Sequence, residues 1–260
     1  CDDPNECLPS DYNKILTAYG CPVLKMRYES AEIAKISINV LLSASISAAN
    51  TMSELCETIG GNWSEVIPAL QLDRRIGNHA YISAGLGLSG GNLERDLASV
   101  INLAERYGTE ASVVKSFISD SSYRRDWVLR TVRNDPMLLA PGAVVGIWGL
   151  AYKPGTDSTK NSPSLDLIWQ LAPTKVLTYD PMAELDDKLF TNAKQCESPI
   201  DACQGAKVLI VMTAWEEFNE PDLAMVQSEM TGDLIVDPFG VLNGPKLIER
   251  GFRHKYLGTS

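Results

Sequence analysis

The sequence predicts an α/β protein in two parts, a helical first half and an open parallel α/β second half. Two observations predict this division. No Gly or Pro interrupts residues 29–59, whereas beyond residue 141 continuous apolar runs alternate with helix-like segments. Such alternation is typical of a parallel sheet that helices cover on both faces. We therefore expect a helical domain over residues 23–140 and an open, parallel, Rossmann-like domain over residues 141–260, preceded by a polar segment, residues 1–22.

The helices of the first half follow from their start and stop signals. The stretch 29–59 can be capped by Ser30, and Gly60-Gly61 stop it, as glycine commonly does after a helix. At 1.5 Å per residue this helix is about 45 Å long. Its many Ala and Ser residues let another helix approach closely, so a domain core and a subunit spine are equally good interpretations. Shorter helices are predicted over residues 8–19, 62–71, 91–107 and 109–134.

The strands of the second half are the apolar runs themselves. In open parallel sheets, ligands bind beyond the carboxyl ends of the strands. Those ends are predicted at residues 152–153, 179–181, 213–215 and 237–239. The predicted strands are AVVGIWGLAY, KVLTYDP, KVLIVMTAW and DLIVDPF, and the helices between them are SPSLDLIWQL, SPIDACQG and residues 221–230.

Composition excludes several classes of function. A net charge of −10 disfavours broad binding to nucleic acid or to anionic membranes, and the apolar runs are too short to predict a membrane span. The six cysteines form no C-x-x-C pair and only two histidines are present, so we expect no metal site and no disulfide framework. We expect a cytoplasmic protein. Because the chain starts with Cys1 rather than Met, we also expect it to be part of a longer protein.

Three segments carry residues suited to chemistry. Lys35 and Asn39 share one helix face at the i, i+4 spacing and can together hold an oxyanion or a water. The loop GLSGGNLERD, residues 87–96, combines glycines that permit close backbone approach with a helix start that attracts anions. The loop at residues 149–163 carries Lys153, Lys160 and several hydroxyl groups, which suit a diphosphate. Each segment alone is better explained by a solvated helix face, a cap or a surface loop.

These segments belong to a series of short motifs in a fixed order. The motifs are A-E-x-x-K-x-x-x-N at 31–39, R-I-G at 75–77, the glycine-rich loop ending in Asp96, G-L-A-Y-K-P-G-T-D at 149–157, S-P at 162–163, Y-D-P at 179–181, T-x-W-x-x-F at 213–218 and V-D-P at 236–238. Together they cover nearly the whole chain. In this order they resemble the UDP-glucose/GDP-mannose dehydrogenase family, through its central and C-terminal domains.

The resemblance implies an oxidoreductase that converts the C6 alcohol of a nucleotide sugar to a carboxylate with NAD. NAD is bound in the family by an N-terminal domain, and residues 1–22 resemble its last segment. No cofactor-binding residue is therefore expected in this chain. The resemblance further implies that residues 23–140 form the dimerisation domain, with a homodimer built on the 29–59 helix. Residues 141–260 would bind the nucleotide part of a UDP-sugar, the branch that GLAYKPGTD favours.

The resemblance also assigns individual residues. Lys35 matches a lysine that stabilises the developing oxyanion, and Asn39 matches its partner. Asp96 matches an aspartate of the acid–base and water chemistry. Residues expected to bind substrate are Arg75, Gly87, Gly90, Gly91, Lys153 and Lys160. Lys160 stands where the family usually has arginine, and 237–239 replace a common D-G-R, which removes a cationic contact.

The largest departure from the family lies in the glycine-rich loop. The family pattern G-x-G-G-S-C-x-x-K-D places a cysteine at the position of Asn92 when counted from Asp96. In the family that thiolate adds to the aldehyde intermediate and carries the second oxidation. An amide can only donate and accept hydrogen bonds. The resemblance therefore implies first-step chemistry with a stalled or altered second step.

Two further interpretations stay open at this point. The chain could be a nucleotide-sugar-binding and dimerisation module without catalysis, because the NAD domain, the cysteine and the D-G-R arginine are all missing. Alternatively, Asn92 could be a deliberate substitution of the nucleophile. A G-x-G-x-x-G turn encoded upstream of Cys1 would favour the enzyme.

Overall fold

The computed structural model describes residues 3–133, 135, 136, 138 and 142–259. Cys1 and the predicted boundary between residues 140 and 141 lie outside the described residues. The helices are α1 Ser10–Thr17, α2 Tyr28–Thr58, α3 Trp63–Leu72, α4 Asn92–Tyr107, α5 Ser112–Arg125, α6 Trp127–Arg133, α7 Pro163–Leu171, α8 Leu223–Glu229 and α9 Gly244–Glu249. The strands are β1 Val144–Trp148, β2 Lys175–Tyr179, β3 Ala193–Gln195, β4 Val208–Val211, β5 Leu234–Val236 and β6 Arg253–Lys255.

The long helix α2 organises the first half, as predicted. It runs for 31 residues and packs against α4, α5 and α3. The predicted end of α4 is also confirmed, because the helix ends at Gly108, which adopts a left-handed φ of 67°. The amide of Thr109 then donates to the carbonyl of Ala104 at 2.9 Å, which closes the helix end.

The helix predicted over residues 109–134 is wrong as one continuous element. It forms α5 and α6, with a break at Asp126, and its predicted end at Asn134 lies outside the described residues. The carboxylate of Glu110 accepts from the amides of Ala111 and Ser112 at 2.9 and 2.7 Å, so the helix starts at residue 112. After the break, α6 turns its buried side chains, beginning with Trp127, into the core of the second half.

The second half contains a six-stranded, wholly parallel sheet in the order β3-β2-β1-β4-β5-β6. This is the strand order of a Rossmann-type doubly wound sheet, which confirms the predicted open α/β domain. The central strands β1 and β4 are buried almost throughout. The strand order reverses between them, so the carboxyl ends of β1 and β4 flank the crevice where such sheets bind ligands.

Sequence patterns missed the edges of this sheet. The strands β3 and β6 have only three residues each, AKQ and RHK, and neither presents an apolar run. The helix-like segment SPIDACQG contains only a short 3₁₀ turn, Asp201–Cys203. Short polar edge strands are defined by the neighbouring strand and not by their own composition, because only one side of the strand is paired.

The end of the chain packs back onto the helical half. The amide of Trp63 donates to the carbonyl of Gly258 at 2.7 Å, and the amide of Gly258 donates to the carboxylate of Glu57 at 2.5 Å. A Cβ added at Gly258 would lie 2.7 Å from that of Trp63, so only glycine permits this approach. The two halves are therefore held together at a point far from their connecting segment.

The helix α2 presents an unusual surface. Its buried positions are small or polar, whereas Ile33, Ile38 and Leu41 are more than half exposed. With a mean hydropathy of 1.3 in its most apolar window, α2 is long and apolar enough to count as a candidate membrane span, which sequence patterns did not predict. One such helix is weak evidence for a membrane, because helices of soluble proteins pass the same criterion.

Candidate functional site

A charged cluster forms where α2 crosses the first turn of α4. The Lys35 ammonium pairs with Oδ2 of Asp96, and the Asn39 side-chain amide donates to the same oxygen at 2.7 Å. The guanidinium of Arg95 reaches the other oxygen, Oδ1, at 3.1 Å. Asp96 is 5% exposed, and its buried carboxylate is therefore compensated on both oxygens. The structure thus brings together Lys35, Asn39 and Asp96.

The cluster fixes the protonation state of its aspartate. The hydrogen bond from Lys35 lowers the pKa of the Asp96 carboxyl below its ordinary value, and hydrogen bonds from Asn39 and Arg95 act in the same direction, while burial opposes them. At neutral pH Asp96 is a carboxylate. It can hold and orient a cation or a water molecule, but it is a weak base.

The glycine-rich loop is supported by side chains of the helical half. Gly87 has a φ of 81°, and a Cβ there would lie 2.6 Å from the carbonyl oxygen of Ser121. The Ser121 hydroxyl accepts from the amide of Leu88 at 2.7 Å. Just before the loop, the amide of Gly85 donates to Asn50 at 2.8 Å. Gly87 is therefore required by the packing of the loop on α5.

Asn92 is the first residue of α4 and is exposed. It lies four residues before Asp96, which places both on one face of the helix start. The glycine-rich loop, residues 87–96, contains no cysteine. Cys56 lies 21 positions after Lys35 on α2, which corresponds to about 32 Å along the helix. Cys196 directly follows β3, and Cys203 is buried in the 3₁₀ turn Asp201–Cys203, which packs against β1 and β2.

The loop after β1 is anchored by residues that sequence patterns placed at strand ends. The Asp180 carboxylate accepts from the amides of Leu150 and Ala151 at 2.6 and 3.0 Å. The hydroxyl of Thr213 donates to the carbonyl of Ala151 at 2.6 Å. At Gly149, with a φ of 97°, a Cβ would come within 2.5 Å of Thr213. The Y-D-P and T-x-W motifs thus scaffold this loop from below.

The same loop brings two lysines toward the glycine-rich loop. A Cβ added at Gly91 would lie 3.0 Å from Cε and 3.1 Å from Nζ of Lys160, and one added at Gly90 would lie 3.0 Å from the ring of Tyr152. The ammonium of Lys153 lies 5.6 Å from the centre of the Tyr152 ring. Lys160 and Lys153 are both exposed. Gly90, with a φ of 77°, and Gly91 leave room for the two loops to meet, and exposed cations line their junction.

Arg75, predicted to bind substrate, pairs within its own chain with a neighbouring carboxylate. Its guanidinium pairs with Asp73 at 2.6 Å, and its side chain is 90% exposed. It lines a cavity of about 310 Å³ together with Met52 and Trp63. Its recorded contacts within the described chain do not include the Lys35–Asp96 cluster, so within one chain this residue does not join the site.

Sequence patterns did not single out the residues that join the loops to each other. Arg125 pairs with Glu94 at 2.8 Å and with Asp166 of α7 at 3.2 Å. Asn161 donates to the carbonyl of Gly90 at 3.0 Å. The only available signal was indirect: a charge in the first turn of α4 and an asparagine beside the S-P motif, which are common at ordinary caps.

The α/β domain has the strand order of a dinucleotide-binding domain but does not fit NAD. A dinucleotide site needs a tight glycine turn leading from the first strand directly into a helix N-terminus. Here fourteen residues, 149–162, separate β1 from α7. The start of α7 is capped by Ser162, which accepts from the amide of Ser164 at 3.2 Å. No described group of three or more His, Cys, Asp or Glu residues is placed to hold a metal ion.

Both halves of the chain match models of the same protein family. Residues 29–120 match the UDP-glucose/GDP-mannose dehydrogenase family, central domain. Residues 146–244 match the UDP-binding domain of the same family. The two matches lie in the order in which the motifs occur, and each covers one of the two halves seen in the structure.

Individual relatives agree with the family match. A UDP-glucose 6-dehydrogenase of Pseudomonas aeruginosa is 30% identical over 245 residues, covering 91% of this chain and 54% of the relative. One from Haloferax volcanii is 34% identical over 204 residues, covering 77% of this chain and 47% of the relative. A UDP-glucose dehydrogenase structure from Pyrobaculum islandicum superimposes with a TM-score of 0.78 at 28% identity, covering 94% of this chain and 55% of that chain. The chain spans about half the length of these relatives.

Proposed function

Because the chain belongs to the UDP-glucose/GDP-mannose dehydrogenase family, we propose that it supplies the central and substrate-binding parts of a nucleotide-sugar 6-dehydrogenase. The substrate is a UDP-sugar, and the oxidant is NAD bound by a separate domain of the complete enzyme. The observation that carries the proposal is the buried Asp96 carboxylate held by Lys35 and Asn39 at the mouth of the glycine-rich loop. We expect this enzyme to be cytoplasmic.

The cluster supports oxidation of an alcohol at its centre. Oxidation of a C6 alcohol removes a proton from the oxygen and a hydride from the carbon. A positive charge close to that oxygen lowers the energy of the developing alkoxide. Lys35 supplies this charge, and 60% of its side chain is exposed. Asp96 holds Lys35 in place, and Asn39 orients the carboxylate.

The nucleotide end of the substrate fits the junction of the two loops. A diphosphate needs positive charge and free donors near backbone that can approach it closely. Lys153 and Lys160 provide the charge, and Gly90 and Gly91 provide the close approach. The junction lies beyond β1 at the reversal of strand order, where parallel sheets bind ligands.

Asn92 limits the reaction to its first half. An amide does not add to an aldehyde, and Cys56 lies about 32 Å along α2 from Lys35. We therefore propose that the aldehyde is released or is oxidised slowly as its hydrate. The same observation favours a second candidate function, a nucleotide-sugar-binding module without catalysis, because the position at which the family holds its nucleophile carries an exposed amide.

The deciding experiment uses the complete protein with NAD and UDP-glucose. We expect fewer than two NADH per sugar at the rate of the first step, and no covalent thioester by intact-protein mass spectrometry. The variant Asn92→Cys should raise the stoichiometry toward two, while Asn102→Cys, on the same helix, should not. Two NADH per sugar at one rate in the unaltered protein would refute the limit set by Asn92. Binding of UDP-glucose without any NADH would favour the binding module.

We propose that the chain forms a homodimer through α2. The helix buries small and polar side chains inward and leaves Ile38 and Leu41 more than 60% exposed. Burying each such side chain is worth about 1.5–3 kcal/mol. Leu41→Glu should therefore shift the protein to monomer in sedimentation velocity. Val113→Glu, at a similarly exposed residue on α5, is the control. A Leu41→Glu protein with unchanged mass would refute this interface.

A further inference from the structure

The carboxylate of Glu94 joins the two loops of the proposed site. One oxygen, Oε1, accepts from the Arg125 guanidinium at 2.8 Å, and the other, Oε2, accepts from the side-chain amide of Asn161. Asn161 also donates to the carbonyl of Gly90 at 3.0 Å. Glu94 lies in the first turn of α4, whereas Asn161 belongs to the loop after β1. These contacts therefore connect the helical half with the α/β half.

Arg125 extends the connection on the other side. Its guanidinium donates to the carbonyl of Leu88 at 2.8 Å and to the Asp166 carboxylate of α7 at 3.2 Å. The side chain is 19% exposed, so these bonds are partly shielded from solvent. Carbonyls at both ends of the glycine-rich segment 88–90 are thus held by donors, one from α5 and one from the α/β half.

The backbone of Asn161 is adapted to this contact. Asn161 is the one non-glycine residue with positive φ in the described part of the chain, at 52°. Asparagine tolerates this left-handed conformation better than most residues, at a modest cost. The conformation belongs to a residue whose side chain reaches 71 positions back along the chain to Gly90. Tertiary contacts hold this backbone, since its local sequence does not require it.

We propose that Glu94 and Asn161 are positioning residues that set the distance between the loop facing the sugar, 87–91, and the loop facing the diphosphate, 149–162. This inference rests on the proposed function. A nucleotide sugar contacts both loops, whereas a nucleoside diphosphate lacks the sugar that faces residues 87–91 and is held chiefly by Lys153 and Lys160 of the second loop. We call the contacts of Glu94 with Asn161 and of Asn161 with Gly90 the bridge. Loss of the bridge therefore weakens binding of the whole nucleotide sugar far more than binding of the nucleotide alone.

The test uses Asn161→Gly, which removes the side chain and keeps the left-handed backbone. Amides 88–93 should exchange hydrogen several-fold faster, with the thermal midpoint little changed. Calorimetric titration should give an affinity for UDP-glucose roughly tenfold weaker, a change of about 1.4 kcal/mol, and an affinity for UDP within about twofold of the unaltered chain. Glu94→Gln keeps an acceptor oxygen for Asn161, so its affinity for UDP-glucose should lie between those of the unaltered chain and Asn161→Gly. The control is Glu105→Gln on the same helix, an exposed residue paired with Lys115.

The outcomes separate the bridge from the function. Unchanged exchange at 88–93 in Asn161→Gly would overturn the bridge. Equal weakening of UDP and UDP-glucose would also overturn it, because the loss would then lie within the diphosphate loop alone. If the unaltered chain bound neither ligand, the proposed function would fail, and with it the substrate role of the bridge. Normal binding by the unaltered chain and no effect of Asn161→Gly would refute the bridge alone.

Discussion

The buried carboxylate of Asp180 is the most heavily bonded acceptor in the α/β domain, and we predict that Asp180→Asn destabilises that domain. Its side chain lies at the carboxyl end of β2 and is 5% exposed as a residue. Oδ2 accepts three hydrogen bonds and Oδ1 accepts two. The donors to Oδ2 are the amides of Leu150 and Ala151 at 2.6 and 3.0 Å and the indole of Trp215 at 3.1 Å, and those to Oδ1 are the amides of Met182 and Ala183 at 2.8 and 2.7 Å.

The magnitude follows from this geometry. Asparagine has the same shape but only one oxygen, so its NH₂ group faces either three donors or two. The better orientation places the NH₂ at the Oδ1 position and leaves two buried amides without acceptors. Hydrogen bonds to charged groups contribute about 1.5–3 kcal/mol each, so the loss is about 3–6 kcal/mol. Removing a buried charge offsets part of it, and we expect a net loss of about 3 kcal/mol.

The assay is urea denaturation followed by circular dichroism, with the free energy of unfolding taken from the midpoint and the slope. The matched control is Asp187→Asn, an exposed carboxylate seven residues later in the same domain. It should change stability by less than about 0.5 kcal/mol. A loss below about 1 kcal/mol for Asp180→Asn, or one no larger than that of the control, would refute the role of Asp180 as an anchor of the loop after β1.

Three further predictions concern single groups. The pKa of Asp96, measured by NMR, should lie below its ordinary value of 3.8 and should rise in Lys35→Met. The stability that Asp96 contributes is present above pH 3.8 and is lost as the pH falls through the lowered pKa. An unshifted pKa of Asp96 would contradict the ion pair with Lys35. Burial, together with the hydrogen bond to Glu217, raises the pKa of Tyr179 to about 12. The stability that the protonated Tyr179 contributes should therefore be lost only between pH 10 and about 12. Ultraviolet titration of the unaltered protein and of Tyr179→Phe checks this. Gly149→Ala should destabilise the protein by about 2–4 kcal/mol, because it combines left-handed backbone strain with a clash against Thr213. Gly155→Ala, also at positive φ but in open space, should destabilise it by about 1 kcal/mol. Equal losses of stability in thermal melts would contradict the clash at residue 149.

Much of the fold was predictable because its signals are local. The length of α2 and its end at the glycine pair, the end of α4 at Gly108 and the central strands all follow from patterns within a few residues. The residues Lys35 and Asn39 also lie on one helix, and their spacing predicted that they would act together. Long buried strands and capped helices carry this information in their own sequence.

The elements that the sequence failed to predict have a physical cause in common. The break at Asp126 is set by the packing of Trp127 into the α/β core, and the strands β3 and β6 are set by pairing with a neighbour. Tertiary contact overrides local propensity at such places. The Y-D-P motif was expected at a ligand, yet the side chain of Asp180 is buried beneath the loop, because a motif does not reveal the direction of its side chain.

The sequence by itself determined the parallel α/β half and the long helix, since both are properties of residue order and periodicity, and its motifs carried the resemblance to the family. Only the tertiary structure decided which side chains meet. It brought Asp96 to Lys35 across 61 positions and Asn161 to Gly90 across 71. Contacts between residues so far apart in sequence depend on how the two halves pack, and no local pattern encodes that packing.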